Sequence, residues 1–145
     1  MKNKDDIKIL IIDDSIFLVR RLKEMLNEGG YNNIESVSNG VEAIDKCGQE
    51  NFDIITCDIT MPELNGIPTI KALININKNA KIVVISALEY EEKIEEAIAA
   101  GAKEYIVKPI EKDKVLKVID HFANNLKKKT IIIFPSKFIP FVISK

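Results

Sequence analysis

Asp13 and Asp14 follow one apolar run, Asp58 follows another, Ser86 closes a third and Lys108 a fourth. A carboxylate set straight after an apolar run loses solvation for no return unless something uses it. Three carboxylates brought together repel one another and call for a cation. An all-oxygen site with few protein ligands and room for water suits Mg²⁺ better than zinc. A carboxylate can also attack phosphorus and form an aspartyl phosphate. A metal then neutralises phosphoryl charge, while an ammonium and a hydroxyl hold the remaining oxygens. Gathered on one rim, these five residues read as magnesium-assisted phosphoryl transfer onto an aspartate. Spacing alone does not name which aspartate is attacked.

The runs that must position them are 7–12 (IKILII), 52–56 (FDIIT), 81–86 (KIVVIS) and 104–108 (EYIVK), with a weaker one at 34–38 (IESVS). They are Ile- and Val-rich and nearly continuous, the pattern of strands covered by helices on both faces. Between them lie segments with helical period. Leu18, Leu22, Met25 and Leu26 share a face over 15–28, and Gly29-Gly30 supplies a stop. Val41, Ile44 and Cys47 recur over 39–50, and Ile67, Ile70, Leu73 and Ile74 over 64–75. Ile94 and Ile98 mark 89–100, where Glu89, Glu91 and Glu92 load the N-terminal turn favoured by the helix dipole. Val115, Val118, Ile119, Phe122 and Leu126 stripe 111–126. Five β-α units in succession predict an α/β fold, a parallel sheet between two helical layers joined by right-handed crossovers. In such sheets ligands collect at the carboxyl ends of the strands, where the five polar residues fall.

Composition bounds the rest. The chain has 145 residues, 46% of them hydrophobic, with 21 basic and 22 acidic side chains for a formal charge of −1. That is one domain with enough apolar surface for a core, which excludes disorder and argues against nucleic-acid or membrane binding through bulk charge. Cys47 and Cys57 are too few for a disulfide framework and are expected as buried free thiols, and a lone His121 cannot support a histidine-rich zinc site. The first apolar run carries Lys8 and ends on two aspartates, unlike a secretory segment, and no run reaches the roughly 18–20 apolar residues of a membrane span. A cytoplasmic protein is expected. Residues 1–126 form the expected domain, with no repeat and no linker inside it. Residues 127–145 stand apart: three lysines, then an apolar stretch broken by Pro135 and Pro140. The plain readings are an edge strand over 130–134 with a loosely docked tail, or a cloning remnant. The sharper reading is a partner-binding or dimerising segment, since exposed apolar strands template pairing.

The stretches IDDS (12–15), DITMPELNG (58–66), SA (86–87) and GAKEYIVKP (101–109) resemble the receiver domain of two-component response regulators, particularly the stand-alone chemotaxis receivers. The resemblance covers residues 7–126 and implies the strand order 2-1-3-4-5. It implies that Asp58 accepts the phosphoryl group, and that Asp13, Asp14, Asp58 and the backbone carbonyl of Thr60 hold Mg²⁺. It further implies that Lys108 pairs with the phosphate next to a cis Lys108–Pro109 bond. Ser86 would move to the phosphoryl oxygens and Tyr105 would swing inward behind it, a two-state shift. Thr60 and Leu88 flank the position where such proteins tune hydrolysis. The implied partners are a sensor histidine kinase and a downstream effector protein, with the flagellar motor switch as one candidate. The implied activity is self-phosphorylation and self-dephosphorylation without turnover of an external substrate.

Each residue also has an ordinary reading. Asp14-Ser15 could cap a helix, Ser86 could be a plain hydroxyl, Tyr105 a core aromatic, Cys57 a strand filler, and the glutamates of 89–96 a solvated face. Three other functions compete. A phosphatase or phosphotransferase acting on a small molecule through an aspartyl phosphate usually needs an acid two positions after the nucleophile, where this chain has Thr60. A nucleotide-binding module would need G-x-G-x-x-G or G-x-x-x-x-G-K-[ST], and neither occurs. The chain could be the receiver fragment of a longer regulator, although nineteen residues past the last helix leave no room here for a DNA-binding output module.

Overall fold

The computed structural model describes residues 3–60, 66–126, 130–132 and 141–143. A short 3₁₀ turn leads into β1 (Ile9–Ile12), α1 (Ile16–Glu28), β2 (Ile34–Val37), α2 (Gly40–Gln49) and β3 (Ile54–Cys57). There follow α3 (Gly66–Ile76), β4 (Lys81–Ser86), α4 (Glu91–Ala100), β5 (Glu104–Val107) and α5 (Lys112–Asn124). The five strands form one parallel sheet in the order β2-β1-β3-β4-β5, as the resemblance implied. β1 therefore lies beside β3, which brings the strand ends at Asp13 and Asp58 next to each other.

Side chains alternate across a strand, so each strand feeds two cores. Ile9, Ile11, Ile54, Val83, Ile85 and Ile106 pack with Leu22, Met25 and Leu26 of α1 and with Val115, Ile119 and Phe122 of α5. On the other face Leu10, Ile12, Ile55, Cys57, Ile82 and Val84 pack with α2, α3 and α4. Burial on both faces accounts for the continuous apolar runs. Both cysteines are buried free thiols.

Two helical stripes differ from the sequence expectation. In α2 the inward positions are Gly40, Ala43 and Cys47 while Val41 is exposed, and in α4 they are Ala97 and Ala100 while Ile98 is exposed. Small residues let a short helix sit close to its neighbours, so the face of nearest approach is built from alanine and glycine and not from the largest apolar side chains. Glu89 also lies before α4, whose N-cap is Tyr90.

The expected edge strand over 130–134 is corrected as well. Thr130–Ile132 (β6) pairs antiparallel with Phe141–Ile143 (β7) in a two-stranded sheet separate from the main one. Strands consecutive in sequence usually pair with each other. The remainder of 127–145, and Met61, Pro62 and their neighbours through residue 65 of the DITMPELNG stretch, lie outside the described residues. Among the described residues no helix is long and apolar enough to cross a membrane.

Candidate functional site

The sheet's hydrogen-bond ladder runs one residue beyond its strands and fixes the site. Asp13 N–H donates to the Val37 carbonyl (3.2 Å), Asp58 N–H to that of Ile12 (3.0 Å) and Lys108 N–H to that of Ser86 (2.8 Å). Backbones that are otherwise free to fray are thus held by neighbouring strands. The side chains of Asp13, Asp58 and Lys108 then meet at the carboxyl rim. Lys108 Nζ lies 3.2 Å from Asp13 Oδ2 and 3.4 Å from Asp58 Oδ2. The Lys108–Pro109 peptide bond is cis.

Asp13, Asp14 and Asp58 each bring a carboxylate oxygen within 4.8 Å of the others. Asp13 and Asp58 are buried, and Asp14 is exposed with no hydrogen-bond or ion-pair partner among the described residues. Burial raises the Asp13 carboxyl above its ordinary value. The Ser15 N–H and the Lys108 ammonium pull it down and the Asp58 charge pushes it further up, with burial the strongest influence. One ammonium does not balance three carboxylates. The donor set is all oxygen, tightly spaced, half open to solvent and electrostatically short of positive charge, which fits a small hard divalent cation.

Local turn chemistry aims the acids. Asp13 Oδ1 accepts the Ser15 N–H at 2.8 Å, and Ser15 Oγ accepts the Leu18 N–H at 3.3 Å as the N-cap of α1. The capping duty therefore falls on Ser15 and leaves the Asp14 carboxylate in the acid cluster. Asp58 Oδ1 accepts both the Thr60 N–H (3.0 Å) and the Thr60 hydroxyl (2.8 Å). The sequence reading gave Thr60 a metal-ligating carbonyl and a place beside the hydrolysis-tuning position, and missed these donors. The D-x-T spacing was the available signal, because an aspartate side chain readily binds the backbone two residues on.

Ser86 and Tyr105 form a second, linked cluster. Ser86 is fully buried and its Oγ accepts the Leu88 N–H at 3.2 Å. The Tyr105 hydroxyl donates to the Leu88 carbonyl. Leu88 thus connects the two residues through its backbone, a role its apolar side chain did not announce. Beside Asp14, a cleft of about 500 Å³ opens between α1 and the β2–α2 region, with Arg20 and Lys23 on one wall and Ser36 and Glu42 on the other. Cys57, next to the acceptor candidate, is buried, and its thiol is pushed far up by burial and by the charges of Asp58 and Asp13, which makes it a poor nucleophile. His121 lies on α5 edge-on to Phe122, away from the acids.

Comparison with known proteins bears on this rim. The family model described as the response regulator receiver domain matches residues 9–120. The chemotaxis protein CheY of Thermotoga maritima is 42% identical over 113 residues, 78% of this chain and 94% of that protein. That of Bacillus subtilis is 38% identical over 117 residues, 81% of this chain and 98% of that protein. Among solved structures, a chain of the CheX–CheY–BeF3–Mg²⁺ complex from Borrelia burgdorferi superposes with a TM-score of 0.76 at 39% identity, covering 80% of this chain and 89% of that one.

Proposed function

The chain belongs to the response regulator receiver family, and from that premise we propose that it is a two-component signalling switch with Asp58 as its phosphoryl acceptor. Receiver domains bind Mg²⁺ at an acidic pocket, and in this reading Asp13, Asp14, Asp58 and the Thr60 carbonyl hold the ion. Bound there, Mg²⁺ neutralises charge on the incoming phosphoryl group.

The donor is a phosphohistidine on a sensor kinase. A carboxylate oxygen of Asp58 forms the new bond to phosphorus. The phosphorus–nitrogen bond breaks, and the histidine nitrogen keeps the electron pair. Thr60 fixes Oδ1 through two hydrogen bonds and so leaves Oδ2, the oxygen facing Lys108, as the attacking atom. Lys108 then exchanges its carboxylate contacts for a phosphoryl oxygen. Ser86 gives up the Leu88 N–H to donate its hydroxyl to another phosphoryl oxygen. Leu88 is also the acceptor for Tyr105, so its movement releases that ring and repacks the α4–β5–α5 face that an effector reads.

The observation that carries this reading is the single ammonium spanning Asp13 and Asp58 above three clustered carboxylates. Thr60 in place of an acid gives no support to a small-molecule phosphatase. Relatedness to chemotaxis proteins supports a chemotaxis effector such as the flagellar motor switch as the downstream partner. The buried free thiols support work in the cytoplasm. Residues 1–126 act as the receiver unit. The test is uptake of label from a small-molecule phosphodonor. We expect label with Mg²⁺ and none in chelator or in Asp58→Asn; equal labelling of that variant would move the acceptor elsewhere.

A further inference from the structure

The formal charge of −1 conceals a division along the chain. Residues 1–126 carry 16 basic and 22 acidic side chains, whereas 127–145 carry five lysines and no acid. Nine of those last nineteen residues are Ile, Val or Phe. The segment lies beyond residue 120, where the receiver family match ends, so phosphoryl transfer at the rim does not account for it.

β6 and β7 pair antiparallel as a ribbon of two three-residue strands, apart from the five-stranded sheet. Thr130 pairs with Ile143, Ile131 with Val142 and Ile132 with Phe141. Opposed residues share a face and successive ones alternate, so Ile132 and Phe141 fall on one face and Ile131 and Val142 on the other. A ribbon apolar on both faces has no inside, and two strands alone are marginal in water. A protein surface, whether of a second copy or of the receiver itself, covers one face and leaves the other in water. The acyl boundary of a bilayer surrounds an inserted segment on every side. The Thr130–Ile143 pairing also makes the chain enter and leave the ribbon at the same end, where Lys127–Lys129 and Lys145 adjoin the strands in sequence. That cluster repels a second copy and attracts an anionic surface. Three residues span only about 10 Å, the depth of the headgroup and acyl boundary and far short of the ~30 Å hydrocarbon core. The ribbon's outer edges keep unpaired backbone groups, which headgroup water satisfies and hydrocarbon does not.

We infer that residues 127–145 bind the surface of an anionic bilayer, with the apolar ribbon in the interface and the lysines among the headgroups. The segment thereby tethers the receiver, whose own net negative charge holds it off the same surface.

The test is flotation of the full chain with vesicles of equimolar phosphatidylglycerol and phosphatidylcholine, against phosphatidylcholine alone. We expect capture by the anionic vesicles, weakened by added salt, and at least roughly a hundredfold weaker capture by the neutral ones. Lys127→Gln, Lys128→Gln and Lys129→Gln together should lower anionic affinity by about a hundredfold, at roughly fivefold per lysine. Ile132→Ser with Phe141→Ser, and separately Ile131→Ser with Val142→Ser, should each lower it by about tenfold or more. Without lipid, every variant should match wild type in thermal midpoint and label uptake, because the two cores of the receiver draw on residues 7–126. A fall in either would mean that the ribbon packs on the receiver, and overturns the inference. It is equally overturned by no capture, by equal capture of neutral vesicles, or by sensitivity to one face of the ribbon alone. A dimer in sedimentation that the same substitutions abolish would assign the ribbon to a second copy instead. Wild type that never takes up label overturns the acceptor reading and leaves the vesicle comparison intact.

Discussion

Asp13 is held in conflict at the residue scale. It is buried beside another carboxylate, and its one cation, Lys108, is shared with Asp58. Because its folded-state value is raised, the folded protein keeps a proton there that the unfolded chain has already lost. Stability of the metal-free protein from this group therefore falls as pH climbs from below 3.8 through the raised folded value, and the penalty is fully present at neutral pH. Asp13→Asn keeps the acceptor oxygen for the Ser15 N–H and removes the charge. We expect it to raise the metal-free thermal midpoint at pH 7 by about 3 °C, the change produced by roughly 1 kcal/mol in a domain of this size. It should also abolish Mg²⁺ binding. Scanning calorimetry with and without Mg²⁺ checks both, and a lower midpoint would show that the Lys108 pairing outweighs burial.

At the scale of elements, the acceptor loop depends on how closely α3 approaches it. A Cβ at Gly66 would lie 2.4 Å from Ile59 Cα and 2.7 Å from the Asp58 carbonyl oxygen, both backbone atoms that cannot rotate away. Gly66→Ala should therefore push the start of α3 off β3, with a loss of about 1–3 kcal/mol in denaturant titrations and a slower labelling rate as Asp58 is displaced. A variant with wild-type stability and rate would mean that the loop yields freely. Gly101 has a different constraint. With φ of 127° it ends α4 in a conformation open mainly to glycine and presents its bare Cα to Ile74. Ser15 shows how one residue serves both scales, since its hydroxyl starts α1 while its N–H turns Asp13 toward the rim.

For the whole molecule, stability and function are joined through the ion. The acids are assembled only in the folded state, so Mg²⁺ binding is linked to folding. At a free concentration a hundredfold above its Kd, Mg²⁺ should stabilise the protein by about 2.7 kcal/mol. The measurement is the thermal midpoint across a Mg²⁺ titration, and the rise should vanish in Asp58→Asn together with labelling. A midpoint insensitive to Mg²⁺ would remove the metal from the account.

Much of this was legible in residue order because its causes are local. Apolar runs buried on both faces reveal strands wherever they fall, and the Gly29-Gly30 stop reveals a helix end without knowledge of neighbours. The aspartates at strand ends were conspicuous because a charge beside an apolar run needs a reason. Other features depended on contact. Val41 and Ile98 looked like core residues, yet small side chains won the inward faces of α2 and α4 through close packing that sequence period does not measure. The two hydrogen bonds from Thr60 are local to the turn after β3, whereas the link from Tyr105 to the Leu88 backbone exists only once β4 and β5 lie side by side. The sequence by itself determined the β-α succession and the chemistry available at each strand end. The tertiary structure alone decided that the Lys108 ammonium spans the pair, 3.2 Å from Asp13 and 3.4 Å from Asp58, because charges at distant chain positions interact only after the sheet has brought them within a few ångströms.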